Sequence, residues 1–267
     1  ERRPGTAPAP RPDAAATPHP RLVVHLIYAL DVGGLETLLV ECINHMPADK
    51  YRHAVVCLTD YSAFVQNIQR PDVQLFSLHK PPGHGIKTHL KLWKLLRRLR
   101  PDILHTYNLA AMEYAFTAAL AGVPVRIHAE HGRDAGDPEG KNAKHNFLRR
   151  RLAPFIDRYV PVSDDLHRWL EQVVRIPARK TVLIKNGVDT ERFQAAPGVA
   201  RGSPWQAGDF VVGTVARVQD IKDHRSLVLA FARLREMLPQ QRDRLRLSIV
   251  GDGPLLPAIR EQVAASG

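Results

Sequence analysis

RLVVHLIYALDVGGLETLLVECINHM, residues 21–46, is the stretch that decides the fold. The run from Leu22 to Leu30 is rich in Leu, Val and Ile, which predicts a buried β-strand. Two adjacent glycines follow it, and from Gly34 to Met46 the apolar residues recur at helical spacing. A buried strand that ends in a glycine turn and continues into a helix is typical of the first half of a βαβ unit.

The same alternation of strand and helix continues along the chain. Further strands are predicted at His53–Thr59, Val73–Leu78, Asp102–Tyr107, Val125–His131, Arg158–Val162 and Thr181–Lys185. Helices are predicted ahead of Arg100 and at Ala110–Ala121, Ala143–Phe155 and Asp164–Val173. Strands that alternate with helices lie parallel and are joined by crossover helices. We therefore predict an α/β domain with a doubly wound parallel sheet at residues 21–190.

Composition marks the other parts of the chain. Residues 1–20 are rich in Pro and Ala, which predicts a disordered tail, and we place an interdomain linker at the Gly- and Pro-rich residues 191–209. A second α/β unit is predicted at residues 210–267, with strands Phe210–Val215 and Leu245–Val250 and helices His224–Leu238 and Leu255–Ala264. Two strands and two helices leave apolar sheet surface uncovered, so we expect this second domain to be truncated.

The composition is that of a globular protein with excess positive charge. Lys plus Arg number 38 against 27 Asp plus Glu, a net charge of +11 that suits an anionic partner. Nucleic acid is not favoured, because no nucleic-acid-binding module is recognisable. Cys42 and Cys57 are the only cysteines and lack metal-ligand spacing, which predicts buried thiols and no metal site. No apolar run has the length of a membrane span, so we expect a cytoplasmic protein.

Glycines directly after the first strand form the first candidate site. Gly33 and Gly34 let the chain turn tightly, and the helix that follows presents free N–H groups and its positive dipole end to an anion. Glu36 lies in the same turn and is a further candidate for substrate binding. The dinucleotide pattern G-x-G-x-x-G is absent, which disfavours an NAD enzyme. The alternative is a turn without a ligand.

Two cations follow the first strand of the second unit, the position that corresponds to Gly33 and Gly34 in the first domain. Arg217 can bind two phosphate oxygens at once, and Lys222 adds a compact charge, so the pair could hold a diphosphate. Asp252 and Gly253, after the next strand, are candidates for phosphate or sugar binding. Each loop could instead be an ordinary solvated connection.

Mid-chain, a polar run follows the strand at Val125–His131. His131 is placed to donate a hydrogen bond or transfer a proton and is our candidate catalytic residue, and Arg133 is a candidate for substrate binding. The alternative is a histidine with a structural role only.

A strongly basic amphipathic helix is predicted at Lys87–Arg100. Leu92, Leu95, Leu96 and Leu99 share one face, and Lys87, Lys91, Lys94 and Arg98 share another. The simpler interpretation is a surface helix packed on the sheet by its leucines. The alternative is that the basic face also contacts an anionic membrane, at the inner membrane surface.

The order of these motifs is more specific than any one of them. Gly33-Gly34 with Glu36 is followed by Glu-His131-Gly, then Pro-Val-Ser163-Asp, Asn186-Gly-Val-Asp, Arg217 with Lys222, and Val-Gly-Asp252-Gly253. From about residue 21 onward the chain resembles the GT-B glycosyltransferases of family 4. Within that family it resembles most the sugar transferases of bacterial exopolysaccharide and PEP-CTERM systems.

The resemblance implies two Rossmann-like domains and a retaining transfer of a sugar from a nucleotide-diphosphate sugar to a glycan or lipid-linked acceptor. The N-terminal domain would bind the acceptor, and Arg217 and Lys222 would bind the donor diphosphate together with Gly33 and Gly34. His131 would lie near the transferred sugar. The family needs no metal and no cofactor besides the donor.

One departure from the family pattern is serious. Family members carry a Glu-x7-Glu pair late in the C-terminal domain, and no two glutamates here have that spacing. We therefore expect this polypeptide to bind donor poorly and to show no transfer. The alternatives are a GT-B-like nucleotide-sugar epimerase and a non-catalytic protein that binds nucleotide sugars.

Overall fold

The computed structural model describes residues 19–83, 85–134, 136–194 and 204–266. The chain divides into two compact units, Glu1–Val188 and Asp189–Gly267. Residues 1–18 of the predicted tail and residues 195–203 of the predicted linker lie outside the described residues.

The first unit contains a six-stranded parallel sheet. Its strands are β1 (Arg21–Ile27), β2 (Tyr51–Cys57), β3 (Gln74–Ser77), β4 (Ile103–Tyr107), β5 (Val125–Glu130) and β6 (Arg158–Pro161). They lie in the order β3-β2-β1-β4-β5-β6, and every pairing is parallel. This is the strand order of a doubly wound Rossmann-like sheet, so the predicted fold class is confirmed for this unit.

Helices cover the sheet on both faces. They are α1 (Gly34–His45), α2 (Ile86–Leu99), α3 (Asn108–Met112), α4 (Tyr114–Leu120), α5 (Ala143–Leu152) and α6 (Asp164–Trp169), which continues into a π-helical turn at Leu170–Val174. On one face Leu92 and Leu96 of α2 pack with Val24 of β1. On the other face Ile43 of α1 packs with Ile27 of β1. Strands buried on both sides explain the continuous apolar runs in the sequence.

Two predicted elements differ from the structure. The strand predicted at Thr181–Lys185 is reduced to a bridge between Thr181 and Tyr159, with a hydrogen bond of 2.9 Å from Val182 N to Tyr159 O. Val182 and Ile184 are exposed at this margin of the sheet, so little packing fixes an extended strand. The helix predicted at Ala110–Ala121 begins earlier, at Asn108, and is interrupted at Glu113.

The second unit is a small α/β layer. Strands β7 (Phe210–Val215) and β8 (Leu245–Val250) pair in parallel, and α7 (His224–Met237) and α8 (Leu256–Ala265) follow them. Its buried core consists of Val218, Val228 and Ile259. Val215 and Val250 pair directly and are 83% and 54% exposed, so the sheet face that carries them is uncovered in the part of the chain that the structure describes. Across those same residues, no helix combines the length and the apolar character that crossing a membrane requires.

Candidate functional site

The carboxyl edge of the six-stranded sheet carries the candidate residues of the first unit. Strands β1 and β4 are neighbours in the sheet although β2 and β3 come between them in the chain. This is the topological switch point, where open α/β sheets bind their ligands. The turn after β1, the start of α3 after β4 and the loop after β5 all lie at this edge.

The turn after β1 places Gly33 and Gly34 at the beginning of α1. Gly33 is the N-cap residue and its backbone is extended, with φ −170°, which any residue adopts. Neither glycine has a positive φ, so the turn into α1 does not depend on the conformational freedom of glycine. Their absent side chains matter instead. The Glu36 carboxylate occupies the space a Cβ would take at Gly33, whereas at Gly34 no described atom beyond the chain neighbours and the helix's own backbone lies within 4 Å of the corresponding point.

The start of α1 is fixed from outside. The Oδ1 atom of Asp31 accepts hydrogen bonds of 2.8 Å from Val32 N and from Ser62 Oγ. Among the residues that the structure describes, no side chain makes a capping hydrogen bond to the amino end of α1. The first N–H groups of a helix attract anions, but the Glu36 carboxylate already lies at this end of α1, so a phosphate would compete with it. The predicted phosphate-binding role stays a prediction.

His131 follows β5 and is half-buried. Its backbone N–H donates to Asn108 Oδ1 at 2.8 Å, and its ring lies 5.7 Å from that of Tyr107. Burial lowers the pKa of the imidazole to about 4, an effect that Glu130 opposes and His128 reinforces. Its Nδ1 atom is buried and has no hydrogen-bond partner among the described residues. A neutral imidazole of this kind can donate one hydrogen bond and accept another.

Sequence reasoning missed Asn108. This residue begins α3 directly after β4 and has a left-handed backbone, with φ +54°. Asparagine tolerates this conformation better than most residues. Its position at the carboxyl end of a predicted strand could have marked Asn108 as a candidate site residue. Its contact with His131, which follows the neighbouring strand, could not be predicted from the spacing of the residues.

A buried ion pair lies beside His131. Glu130 is fully buried, and its Oε1 atom lies 2.7 Å from Arg149 Nε and 3.3 Å from His128 Nε2. Burial alone would raise the pKa of Glu130, but His128 and Arg149 outweigh it and lower the pKa. The Arg149 guanidinium also stacks on Trp169, 4.7 Å from the ring centre. This network fixes the strand end that carries His131.

Arg133 makes structural contacts in the same region. Its guanidinium lies 2.6 Å from Asp165 Oδ2 and 5.6 Å from the centre of the Trp169 ring. The predicted substrate contact of Arg133 stays a prediction, and a ligand would compete with Asp165 for it.

The loops after β7 and β8 form a second candidate site, in the second unit. Val218 N donates to Asp252 O at 2.9 Å, and Leu255 N donates to Val218 O at 3.1 Å. Gly251 and Gly253 have φ +149° and +159°, and a Cβ at either would collide with a carbonyl of the β7 loop. Glycine is therefore required at both positions by close backbone approach.

Arg217 and Lys222 lie on this locked loop. Both side chains are exposed, and neither has a hydrogen-bond or ion-pair partner among the described residues. Lys222 ends a 3₁₀ turn, Asp220–Lys222, immediately before α7. Asp252 is exposed and its carboxylate accepts a 2.7 Å hydrogen bond from Gly253 N. The structure thus brings Arg217, Asp252 and Gly253 onto two adjoining loops, with both cations free to bind an anion.

Metal binding finds no support in the described parts of the chain. They hold no group of three or more His, Cys, Asp or Glu side chains that could bind a metal ion. Cys57 is buried and Cys42 is exposed, so the prediction that both are buried is wrong for Cys42.

The sequence model of Glycosyltransferase Family 4 matches residues 32–192, more than half of the chain. The chain belongs to glycosyltransferase family 4. The matched residues include Gly33, Gly34, Glu36, His131 and Arg133.

Two curated relatives agree with the family 4 assignment. EpsF of Bacillus subtilis, named as a glycosyltransferase, is 26% identical over 258 residues, which are 90% of this chain and 64% of EpsF. An Escherichia coli enzyme named UDP-Gal:alpha-D-GlcNAc-diphosphoundecaprenol alpha-1,3-galactosyltransferase is 25% identical over 185 residues, 64% of this chain and 45% of the enzyme. The family 4 chain therefore spans less than two thirds of each relative's length.

A solved structure of similar fold is HepE of Anabaena, crystallised in complex with UDP and glucose. It superposes with a TM-score of 0.69 at 19% identity, over 92% of this chain and 66% of HepE. The likeness confirms the predicted fold class of the family 4 chain, an α/β fold of the GT-B type with Rossmann-like parallel sheets.

Proposed function

We propose that this family 4 protein is a retaining glycosyltransferase in polysaccharide biosynthesis. It would transfer a sugar from a nucleotide-diphosphate sugar to a glycan or lipid-linked acceptor. The observation that carries the proposal is a pair of exposed cations, Arg217 and Lys222, on a loop locked at the carboxyl end of β7; neither side chain has a partner in the part of the chain that the structure describes. Family membership and the names of the two relatives support it.

The cations fit the chemistry of the leaving group. When the sugar is transferred, negative charge develops on the departing nucleoside diphosphate. The two interloop hydrogen bonds of Val218 hold the backbone of this loop in place, and the exposed guanidinium and ammonium can turn towards that charge and stabilise it. In this proposal Arg217 and Lys222 do the work for which other transferases use a divalent metal. No cofactor besides the donor is invoked.

The first unit supplies the remaining groups. Gly33 and Gly34, at the start of α1, would bind donor phosphate through N–H groups. The Glu36 carboxylate, which lies beside Gly33, would move aside and bind another part of the substrate. His131, kept neutral by its lowered pKa, would donate a hydrogen bond to the transferred sugar. Binding of the acceptor by this unit, the retaining stereochemistry and a cytoplasmic location are parts of the same proposal.

Binding of UDP, measured by saturation-transfer NMR because this method detects weak complexes, tests the proposal. Arg217→Ala and Lys222→Ala should each weaken binding by at least about tenfold, since a charge-assisted hydrogen bond contributes about 1.5–3 kcal/mol. Arg242→Ala, at an exposed cation in the 3₁₀ helix Pro239–Arg244, is the matched control. Unchanged binding in both loop variants would contradict the diphosphate role.

Product analysis separates the reaction classes. A retaining transferase releases nucleoside diphosphate in step with glycoside formation and keeps the anomeric configuration of the donor. An epimerase instead converts the donor sugar without any acceptor. A protein that binds UDP but changes no nucleotide sugar under either condition would match the expectation from the absent Glu-x7-Glu pair, namely that this polypeptide binds donor without transfer.

A further inference from the structure

A row of buried polar side chains crosses the face of the six-stranded sheet on which α1 packs. We call its four members the histidine row: His53 of β2, His25 of β1, and Tyr107 and His105 of β4. His53, His25 and Tyr107 are 1%, 3% and 5% exposed. Apolar side chains in these positions would fill the same core without polar groups that need partners. Polar groups are therefore expected here only where they have a role besides packing.

Hydrogen bonds join the histidine row from end to end. Nδ1 of His53 lies 3.0 Å from Nε2 of His25, and the Tyr107 hydroxyl lies 2.9 Å from Nδ1 of His25. The same hydroxyl lies 2.9 Å from Nδ1 of His105. Burial lowers the pKa of all three histidines, so each imidazole is neutral and has one N–H donor and one acceptor nitrogen. The hydroxyl has a single proton, so it donates to one histidine and accepts from the other.

Two arrangements of protons satisfy these hydrogen bonds. In the first, His53 donates to His25 at one end of the row, and Tyr107 donates to His105 at the other. In the second, every bond of the row runs in the opposite direction. His25 and His105 consequently always carry their protons on different ring nitrogens. In both arrangements the hydroxyl is bonded from two sides, which fixes the direction of the Tyr107 ring.

The ring of Tyr107 packs against His131. The two ring centres are 5.7 Å apart and the ring planes are inclined by 42°, which is typical of aromatic contacts. Asn108, the next residue, accepts the backbone N–H of His131 at 2.8 Å. The imidazole itself is less restrained, because its buried Nδ1 atom has no hydrogen-bond partner among the described residues. Contact with Tyr107 therefore determines which way the imidazole faces.

We propose that Tyr107 is a positioning residue for His131. His25 and His105 hold the Tyr107 hydroxyl, and the Tyr107 ring orients the imidazole at the carboxyl edge of the sheet. The end of β4 thus fixes His131 twice, through its backbone by Asn108 and through its ring by Tyr107. That this orientation directs a hydrogen bond to the transferred sugar rests on the proposed transferase function, whereas the orientation itself does not.

Nitrogen NMR of the histidine rings tests the proposal without any ligand, because the ring shifts show which nitrogen carries the proton. In the unaltered chain, the fraction of His25 with its proton on Nδ1 should equal the fraction of His105 with its proton on Nε2. Tyr107→Phe keeps the ring and its effect on neighbouring shifts but removes the hydroxyl. This variant should abolish the equality and should shift the imidazole signals of His131.

Two further variants complete the NMR test. Tyr114→Phe is the matched control, because it removes the hydroxyl of another buried tyrosine, on the opposite face of the sheet, and should leave the His131 signals unchanged. His105→Leu is milder than Tyr107→Phe, since it releases the hydroxyl from one of its two partners and leaves both bonds of His25 in place. It should shift the His131 signals in the same direction but less, and it replaces Tyr107→Phe if that variant does not fold. Thermal unfolding shows which variants are folded.

Donor binding shows whether the orientation of His131 matters to function. UDP-glucose and UDP are compared as probes by saturation-transfer NMR. Tyr107→Phe should weaken binding of UDP-glucose roughly two- to tenfold, the contribution of one misaligned hydrogen bond, and should leave UDP binding unchanged. Tyr107→Phe/His131→Ala should bind UDP-glucose no more weakly than His131→Ala, because Tyr107 acts through the imidazole.

The possible results separate the positioning role from the proposed function. His131 signals that shift in Tyr107→Phe but not in Tyr114→Phe support the positioning role. Unmoved His131 signals in both row variants, unequal proton fractions on His25 and His105, or additive losses of UDP-glucose binding in the double variant would overturn it. Shifted His131 signals in a chain that binds neither UDP nor UDP-glucose remove the proposed function only. UDP binding together with unmoved His131 signals removes the positioning role only.

Discussion

The side chain of Asn108 accepts a hydrogen bond from the backbone N–H of His131, with 2.8 Å between Oδ1 and N. The two residues follow β4 and β5, which are neighbours in the sheet. Asn108 makes this contact from a left-handed backbone conformation, at φ +54°. Asn108 thus holds His131 in place at the ligand-binding edge at the cost of an unfavourable backbone conformation. Such strain is typical of functional sites, which indicates that the position of His131 matters to function.

Replacement of Asn108 should separate the hydrogen bond from the backbone strain. Asn108→Ala should lower the free energy of unfolding by about 2 kcal/mol, about half from the lost hydrogen bond and half from a less tolerated left-handed backbone. Asn108→Gly should cost only about 1 kcal/mol, because glycine adopts this φ without strain. Urea denaturation measures both values.

Asn108→Asp serves as the control, since a carboxylate retains the acceptor for the His131 N–H. It should stay closer in stability to the unaltered protein than Asn108→Ala. Equal stability of the Ala and Gly variants would show that the left-handed conformation is not maintained in solution.

Breaking the buried ion pair of Glu130 and Arg149 should lower the free energy of unfolding more than replacing Asn108 does. Glu130→Gln leaves the guanidinium buried without its counter-ion and should destabilise the protein by about 3–5 kcal/mol. Glu130→Gln/Arg149→Met should cost clearly less than the sum of the two single changes, because the double variant leaves no unpaired charge. Additive losses in denaturant titrations would argue against the ion pair.

Stability should fall in mild acid because of buried histidines. Burial lowers the pKa of His53 to about 4 and of His105 to about 3, and it lowers the pKa of His25 well below its ordinary value. The unfolded chain therefore binds more protons than the folded one below about pH 6.5. The stabilisation is complete above that pH and is lost as the pH falls towards the folded-state values, by about 1.4 kcal/mol per pH unit for each proton.

Denaturant titrations between neutral pH and the onset of acid unfolding measure how steeply the free energy of unfolding changes with pH. His53→Gln can keep a hydrogen bond to His25, which lies 3.0 Å away, but cannot take up a proton. In this variant the free energy of unfolding should depend less steeply on pH, by the amount that corresponds to about one bound proton. A slope identical to that of the unaltered protein would assign the acid sensitivity to other groups.

Most of the fold could be predicted because the strands are buried on both faces. The runs at β1, β2 and β4 are short, apolar and bounded by helices, so the α/β class follows from the order of elements. The prediction of secondary structure was wrong where tertiary packing, and not residue type, determines whether a strand forms. At Thr181–Lys185 the residue types favour a strand, but the position at the sheet margin leaves only a bridge.

The candidate site could be predicted only in part, because chain order shows which residues end strands but not which side chains meet. Gly33, His131 and Arg217 each follow a strand, as their sequence context indicates. The contact of Arg133 with Asp165 and that of Asn108 with His131 depend on the packing of segments far apart in the chain. The reason why position 33 needs glycine also differs from expectation. Gly33 leaves room for the Glu36 carboxylate and does not supply an unusual φ.

Gly34 tests whether α1 binds donor phosphate. Apart from its chain neighbours and the backbone of its own helix, no described atom lies within 4 Å of the point where its Cβ would be, so Gly34→Ala should fold normally and lose no stability. If phosphate approaches the first N–H groups of α1, the added methyl group should nevertheless weaken binding of a UDP-sugar.

Gly33→Ala is a companion variant and not a control, because it adds the same methyl group at the other proposed phosphate-binding glycine, where only the flexible Glu36 side chain must move. Thermal unfolding and saturation-transfer NMR on both variants separate stability from binding. Unimpaired stability together with weakened binding in Gly34→Ala would mean that glycine is kept there for a ligand, since the fold gives no reason for it. Unchanged donor binding would instead limit phosphate recognition to Arg217 and Lys222.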